Sequence, residues 1–322
     1  MSELTVLVTA IGSFSAEIVI DTLKKHSIRV IGTDIYPKEW IANTTIVDKF
    51  YQVPLSTKTN DYLSYIKSIC EEENVRYMIP LTDLEIDVLN EHRYVFSDIN
   101  CTLCFSPYET IITCRNKKKC SDYLSKINNL NIIPIYPIDK VLEHETKYPI
   151  ICKRINGRSS DGFHIFESYD ELKFFISCTD DINSYIFQPF ISGRIVTVDV
   201  IRQEKTNRSV AMPRIELLRT ANGAGTSVKT FSDNQLELLS IEIAEKLKIN
   251  GCVNLEFIHS NDNKYFFLEC NPRFSGGLKF SCMSGYDFVM NHLYCFSNTE
   301  IDPKPTTIKQ QYIARRYQEF VL

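Results

Sequence analysis

The 322-residue chain has no uninterrupted apolar run long enough to cross a bilayer. Its first eleven residues carry neither a basic leader ahead of an apolar stretch nor a small-residue cleavage site. These absences predict a cytoplasmic protein with no membrane partner. Excess positive charge is missing too: 36 Lys and Arg against 40 Asp and Glu give a net charge of −4, so no general attraction to nucleic acid or anionic lipid is expected. The run Lys117-Lys118-Lys119 is local. Eleven cysteines, an odd number scattered through apparent strands and helices, suit reduced buried thiols rather than a disulfide framework. Cys101 and Cys104 form a lone CxxC with no second pair or histidine at metal-ligand spacing, and they read as part of a strand.

Against these absences, 44% hydrophobic and 24% charged residues in a chain of this length describe a globular protein with a substantial core, divided into two or three units. Residues 4–9 form a compact apolar strand. A loop with Gly12 follows, then a helix whose Ala16, Val19, Ile20 and Leu23 share one face. Residues 28–34 and 75–80 read as further strands, with a helix over 61–71 between them that buries Tyr62, Ile66 and Ile69. Thr82 and Glu85 have the spacing of a capping box. Strands alternating with helices imply a parallel sheet. A strand, a glycine loop and a helix, followed by Asp34 at the end of the second strand, also describe part of a nicotinamide-binding unit. That fingerprint needs three glycines where this loop has one. Asp83 and Glu85, after the strand at 75–80, are candidates for holding an amine or amino-acid substrate, with capping and solvation as the plainer explanation.

The most informative stretch is residues 251–277, GCVNLEFIHSNDNKYFFLECNPRFSGG. Alternation along a strand puts Asn254 and Glu256 on one face, with Val253, Leu255 and Phe257 on the other. The same rule groups Tyr265, Phe267, Glu269 and Asn271. A turn centred on Asp262-Asn263 would set Glu256 opposite Glu269 and Asn254 opposite Asn271, a register that an odd loop length would break. Facing carboxylates have Cβ atoms roughly 5 Å apart and repel unless a positive charge lies between them. Glu256, Glu269 and the amide oxygen of Asn271 are oxygen-only ligands suited to Mg²⁺, which combines one or two carboxylates with substrate phosphates. The bland alternative is an exposed hairpin with solvated acids. Arg273 follows closely enough to meet a phosphoryl group bridged by the metal.

The run from Glu269 through Asn271-Pro272-Arg273 to Ser275-Gly276-Gly277 resembles the metal and phosphate segment of the ATP-grasp superfamily, in the branch similar to the carbamoyl-phosphate synthase large subunit. Other motifs follow in the expected order across nearly the whole chain. The resemblance implies an α/β and α+β architecture: a parallel-sheet N-terminal (pre-ATP-grasp) domain over residues 1–112, a small lobe with a lid over 113–190, and a large lobe with the metal site over 191–322. It makes Lys117 a phosphate contact, with Asn116 where relatives carry an aspartate. Lys153 ends a strand before the Gly/Ser loop at 155–162 and a second strand at 163–167, a pattern that suits a lid over a triphosphate. Pro189 C=O and Ile191 N–H are placed to read the adenine edge, and Gln188 to offer its amide oxygen. Where relatives hold the ribose with a glutamate, this chain has Ile195. Asp199 is too distant along its strand to assign to that task.

Arg214, and less distinctly Arg219, followed by the loop Asn222-Gly223-Ala224-Gly225-Thr226, resemble the segment facing the reaction centre, so Arg214 and Arg273 are the catalytic candidates. Ser232 and Gln235 read as the cap of a following helix. The implied cofactors are ATP with Mg²⁺, or Mn²⁺ in its place. The implied reaction joins a small-molecule carboxylate to an amine through an acylphosphate, and a homodimer is the assembly common among relatives. A catalytically silent ATP-binding protein and a nicotinamide-dependent oxidoreductase are the alternatives.

Overall fold

A strand that returns to a sheet in the same direction needs a crossover, which the helices between the early strands supply. The computed structural model describes residues 4–143, 146–158, 161–221, 223–305 and 308–322. Its first sheet is parallel and runs β3-β2-β1-β4-β5, formed by β1 (Thr5–Val8), β2 (Arg29–Asp34), β3 (Lys49–Gln52), β4 (Tyr77–Ile79) and β5 (Thr102–Leu103). Alternate residues of β1 supply two cores. Val6 and Val8 pack with Ala16, Val19, Ile20 and Leu23 of the helix Ala16–Lys25, whereas Leu7 packs with Tyr62, Ile66 and Ile69 of the helix Thr59–Glu72. Each such buried aliphatic side chain stabilises the fold by roughly 1.5–3 kcal/mol. The edge strand β3, with its half-exposed sequence KFYQ, gives no periodic apolar signal and was not anticipated.

Two expected caps take other forms. Thr82 does precede the helix Asp83–Glu91, but its hydroxyl donates to Glu85 Oε2 at 2.7 Å and does not accept a backbone N–H. Glu85 also receives Thr9 Oγ1 and Tyr62 OH in a fully enclosed site, and burial holds its carboxyl above the usual range. The helix Asn234–Lys246 is capped by Asp233, one residue beyond the expected Ser232.

The second sheet has seven strands, in the order β15-β12-β11-β10-β13-β14-β6. They are β6 (Asn131–Ile132), β10 (Gly193–Gln203), β11 (Arg208–Arg219), β12 (Gly225–Thr230), β13 (Gly251–Ser260), β14 (Tyr265–Asn271) and β15 (Tyr312–Ala314). The third sheet is β8-β7-β9, antiparallel, from β7 (Ile150–Arg154), β8 (His164–Phe166) and β9 (Tyr185–Pro189). The start of the expected small lobe over 113–190 packs against the large sheet. β6 pairs with β14, and Cys114, Cys120, Leu124 and Ile127 pack into the core beneath β10 and β13, so this stretch belongs with the large sheet.

The N-terminal sheet is joined to the large lobe by one continuous core, in which Ile20 and Leu23 share a cluster with Phe288, Val289 and Leu293. His292 spans the same junction. Its Nδ1 accepts the Cys252 N–H at 2.8 Å, and Nε2 lies 3.0 Å from Cys104 O. All eleven cysteines are free thiols, nine of them buried, and Cys101 and Cys104 flank β5. Among the described residues no helix is long and apolar enough to cross a membrane.

Candidate active site

The metal hairpin reaches the anticipated register by an unanticipated route. His259 pairs with Tyr265, which leaves an odd number of residues, the five at 260–264, between them with Asn263 in the left-handed region, and a bulge at Leu268 then shifts the ladder by one. Beyond the bulge Glu256 faces Glu269 and Asn254 faces Asn271. The bulge also splits the expected face. Tyr265 and Phe267 turn to the core, edge-on to Phe257, while Glu269 and Asn271 line the cleft. The grouping of all four side chains on one face is therefore corrected.

The cleft has a volume of about 760 Å³ and takes wall residues from the second and third sheets and from the segments that follow β1 and β4. Along β7, Ile150 and Cys152 enter the small-lobe core, while Ile151 and Lys153 face the cleft. Lys153 is 8% exposed. Burial pushes its ammonium down to about 8, with Glu269 and Glu256 pulling it up and Lys117 repelling it. Asn116 caps the helix Lys117–Leu124 by accepting the Lys119 N–H at 2.8 Å. The cap directs Lys117 inward, where Nζ lies 3.4 Å from Glu269 Oε2 and donates to Gly157 O of the lid loop at 2.5 Å. Ser159 and Ser160 of that loop, and Asn222 of the later glycine loop, lie outside the described residues.

The two facing carboxylates are pushed in opposite directions. Burial, then the Glu269 charge, holds the Glu256 carboxyl above the usual range despite Arg219 Nη2 at 3.1 Å. Burial opposes ionisation of Glu269 as well, but Lys117, Lys153 and the Asn271 amide hold it below that range. Asn271 Nδ2 donates to Glu269 Oε1 at 3.1 Å and to Asn254 Oδ1 at 3.4 Å, and neither bond uses the amide oxygen. Two crowded carboxylates, one of them resisting its charge, and an amide oxygen form a donor set that fits a hard divalent cation. Among the described residues no cluster of three or more His, Cys, Asp or Glu is grouped to hold a metal, so the amide is needed to complete the set.

Arg273 lines the cleft, and its Nη2 donates to Asp83 Oδ2 at 3.0 Å, with Arg115 Nη1 3.8 Å from the other oxygen of Asp83. Asp83 thus serves as the anchor of Arg273, a role with no signal in the sequence because the two residues are 190 positions apart. Glu85 lies behind the wall. Arg214 touches the cleft but is 1% exposed and already engaged: Nη1 donates to Asp199 Oδ2 at 2.5 Å and Ser281 Oγ at 3.0 Å, Nε to Glu216 Oε1 and Nη2 to Ser275 Oγ, both at 3.1 Å. Gly277 makes room for it, since a Cβ there would lie 2.8 Å from Arg214 Nη2. Asp199 joins this cluster through Oδ2, which also accepts a hydrogen bond from Ser281 Oγ at 2.7 Å.

At the hinge, Phe190 N–H donates to Pro149 O at 3.0 Å, and Pro189 and Ile191 on either side line the cleft. Gln188 lies a layer deeper. Its Nε2 donates to Ile133 O at 3.1 Å, and its buried Oε1 has no donor. Ile133, Ile151, Ile195, Ile258 and Leu268 supply apolar walls nearby. The dinucleotide alternative fails locally, because Gly12 N–H donates to Asp34 Oδ2 at 2.8 Å and the loop closes on the group that a ribose would need.

Comparison with known proteins bears on the fold. Residues 181–319 match the profile of the family described as ATP-grasp in the biosynthetic pathway with Ter operon, and residues 6–104 match the PylC-like N-terminal domain. The biotin carboxylase of Campylobacter jejuni superposes with a TM-score of 0.78 at 15% identity, over 96% of this chain and 74% of that one. The L-amino acid ligase of Bacillus licheniformis does so with a TM-score of 0.70 at 14% identity, over 94% and 78%. The D-alanine–D-alanine ligase of Aquifex aeolicus (strain VF5) is 24% identical over 140 residues, 39% of this chain and 46% of that one, so the chain spans about half the length of this curated relative. The chain has the ATP-grasp fold.

Proposed function

We propose that the protein is an ATP- and Mg²⁺-dependent, ADP-forming ligase that joins a small-molecule carboxylate to an amine. The observation that carries this reading is the pair Glu256 and Glu269, opposed across β13 and β14 with Asn271 beside them, on a cleft floor overlooked by the buried Lys153 and by Lys117. In this reading the adenine lies among the isoleucines near Pro189 and Ile191, whose C=O and N–H read its edge. Lys117 and Lys153 meet the phosphates. Glu256, Glu269 and Asn271 hold the cation, which when bound neutralises phosphate charge.

The substrate carboxylate attacks the γ-phosphorus, forming the O–P bond as ADP leaves. The amine nitrogen then attacks the acyl carbon, the bond to the phosphate oxygen breaks, and the nitrogen loses a proton. Arg273, held in place by Asp83, faces the transferring group, and the lid between β7 and β8 excludes water from the acylphosphate. Mn²⁺ replaces Mg²⁺ in the same donor set, a cytoplasmic location fits the reduced cysteines, and a homodimer is the proposed assembly. The test is ADP release over pairs of carboxylates and amines. The reading expects release that requires both partners and equals the amide formed; release that ignores either partner contradicts it.

A further inference from the structure

Arg315, just beyond the edge strand β15, ties together three segments that are remote in sequence. Its Nε donates to Gly225 O at 3.2 Å, Nη1 to Phe14 O at 3.5 Å, and Nη2 to Gly276 O. The guanidinium also lies 4.8 Å from the ring centroid of Phe14 and 5.2 Å from that of Phe280. Its own backbone is fixed, since Arg315 N–H donates to Thr226 O at 2.8 Å and the preceding Ile313 packs on Val228 and Phe280.

The three carbonyls belong to the first strand-to-helix loop of the N-terminal domain, the first residue of β12, and the loop that follows β14. Phe14, Gly225 and Gly276 all line the cleft, whereas Arg315 does not. The three segments meet at Gly276, where a Cβ would lie 3.4 Å from Ala224 and 3.7 Å from Phe14. Phe14, Gly225 and Gly276 are not themselves among the proposed adenine, phosphate or cation contacts, although Gly276 lies in the run that resembles the metal and phosphate segment. A planar fork with fixed donors can engage three such carbonyls at once; a lysine presents one compact ammonium on a flexible stem and cannot hold the same pattern.

We propose that Arg315 is a positioning residue that shapes the cleft wall facing the non-nucleotide substrate, by clamping the Phe14, Gly225 and Gly276 backbones together. The proposal rests on the ligase reading for what occupies that end of the cleft. It is tested on the full chain with Arg315→Lys and Arg315→Ala, using a fluorescent ADP analogue for nucleotide affinity. The acceptor probe is a mixture of the protein amino acids, added with MgATP. Nucleotide affinity is expected to stay within about twofold of the parent, while the half-saturating concentration of the mixture rises about tenfold or more in Arg315→Lys. Added guanidinium ion should restore part of the loss in Arg315→Ala. An unchanged half-saturating concentration, or an equal loss of nucleotide affinity, overturns the proposal. Should the parent release no ADP with the mixture, the ligase reading fails on this probe, and backbone hydrogen exchange decides the clamp. Faster exchange at residues 13–16, 223–226 and 275–278 in Arg315→Lys, with 251–260 unchanged, upholds it; unchanged exchange at all of them overturns it.

Discussion

Two clusters of charge lie on the same face of the large sheet and differ in how they are satisfied. Around Arg214, Asp199, Glu216, Ser275 and Ser281 accept the guanidinium's donors inside the protein, and although burial works against it, the two carboxylates hold the arginine firmly charged. Around Glu269, Lys153 is stripped of water and driven down to about 8, while Glu256 resists ionisation. In the first cluster every guanidinium nitrogen has an acceptor inside the protein, although Asp199 Oδ1 and Glu216 Oε2 keep no donor. The second is frustrated, and in the proposed reading phosphate oxygens meeting the lysines and a cation meeting the acids relieve it. The contrast separates a cleft arginine whose guanidinium nitrogens are all met inside the protein from cleft lysines and acids that bury charge without that matching, a distinction that residue types alone do not make.

The contrast is broken most sharply at Glu269. Glu269→Gln should lower ADP release about 10³-fold or more, with little change in a urea unfolding midpoint. Arg214→Met is expected to behave in the opposite sense, losing about 3 kcal/mol or more of stability by leaving two buried carboxylates unpaired, measured by the same unfolding curve. A variant that stayed stable yet lost turnover would move Arg214 into the frustrated cluster.

Lys153 sharpens the comparison through pH. Because its folded pKa lies near 8, below its unfolded value, the free protein loses this cation as pH rises through about 8. Nucleotide affinity should fall over that range, and Lys153→Met should be weak at every pH with that step removed, as read by fluorescent-nucleotide titration. A smaller effect concerns the domain junction. Burial drives His292 down to about 4, so its neutral form is favoured in the fold. The stability it contributes is present above its ordinary value near 6.5 and is lost as pH falls from there toward 4, whereas His292→Gln should flatten that limb of the pH–stability profile.

Much of the cleft was legible because strand alternation and oxygen-donor chemistry are local properties of residues 251–277. The facing of Glu256 and Glu269 was reached on a turn assumed to be even; the real loop is odd, and the bulge at Leu268 restores the pairing. A bulge has no side-chain signature in Phe267-Leu268-Glu269, so the turning of Phe267 into the core was not readable. Alternating strands and helices gave the parallel sheet, but β3 and β6 were missed because short, half-exposed strands are defined by their partners. Asp83 anchoring Arg273, Arg115 behind it, and the burial of Arg214 depend on contacts across domains, where sequence spacing carries no information.

The central claim is that the opposed carboxylates form a divalent-cation site serving a nucleotide. Its most direct test is a Mn²⁺ titration followed by electron paramagnetic resonance, with and without ADP, on the parent and on Glu269→Gln. The account predicts a tight class of Mn²⁺ that appears with ADP in the parent and disappears in the variant. Equal Mn²⁺ binding by both proteins would contradict it.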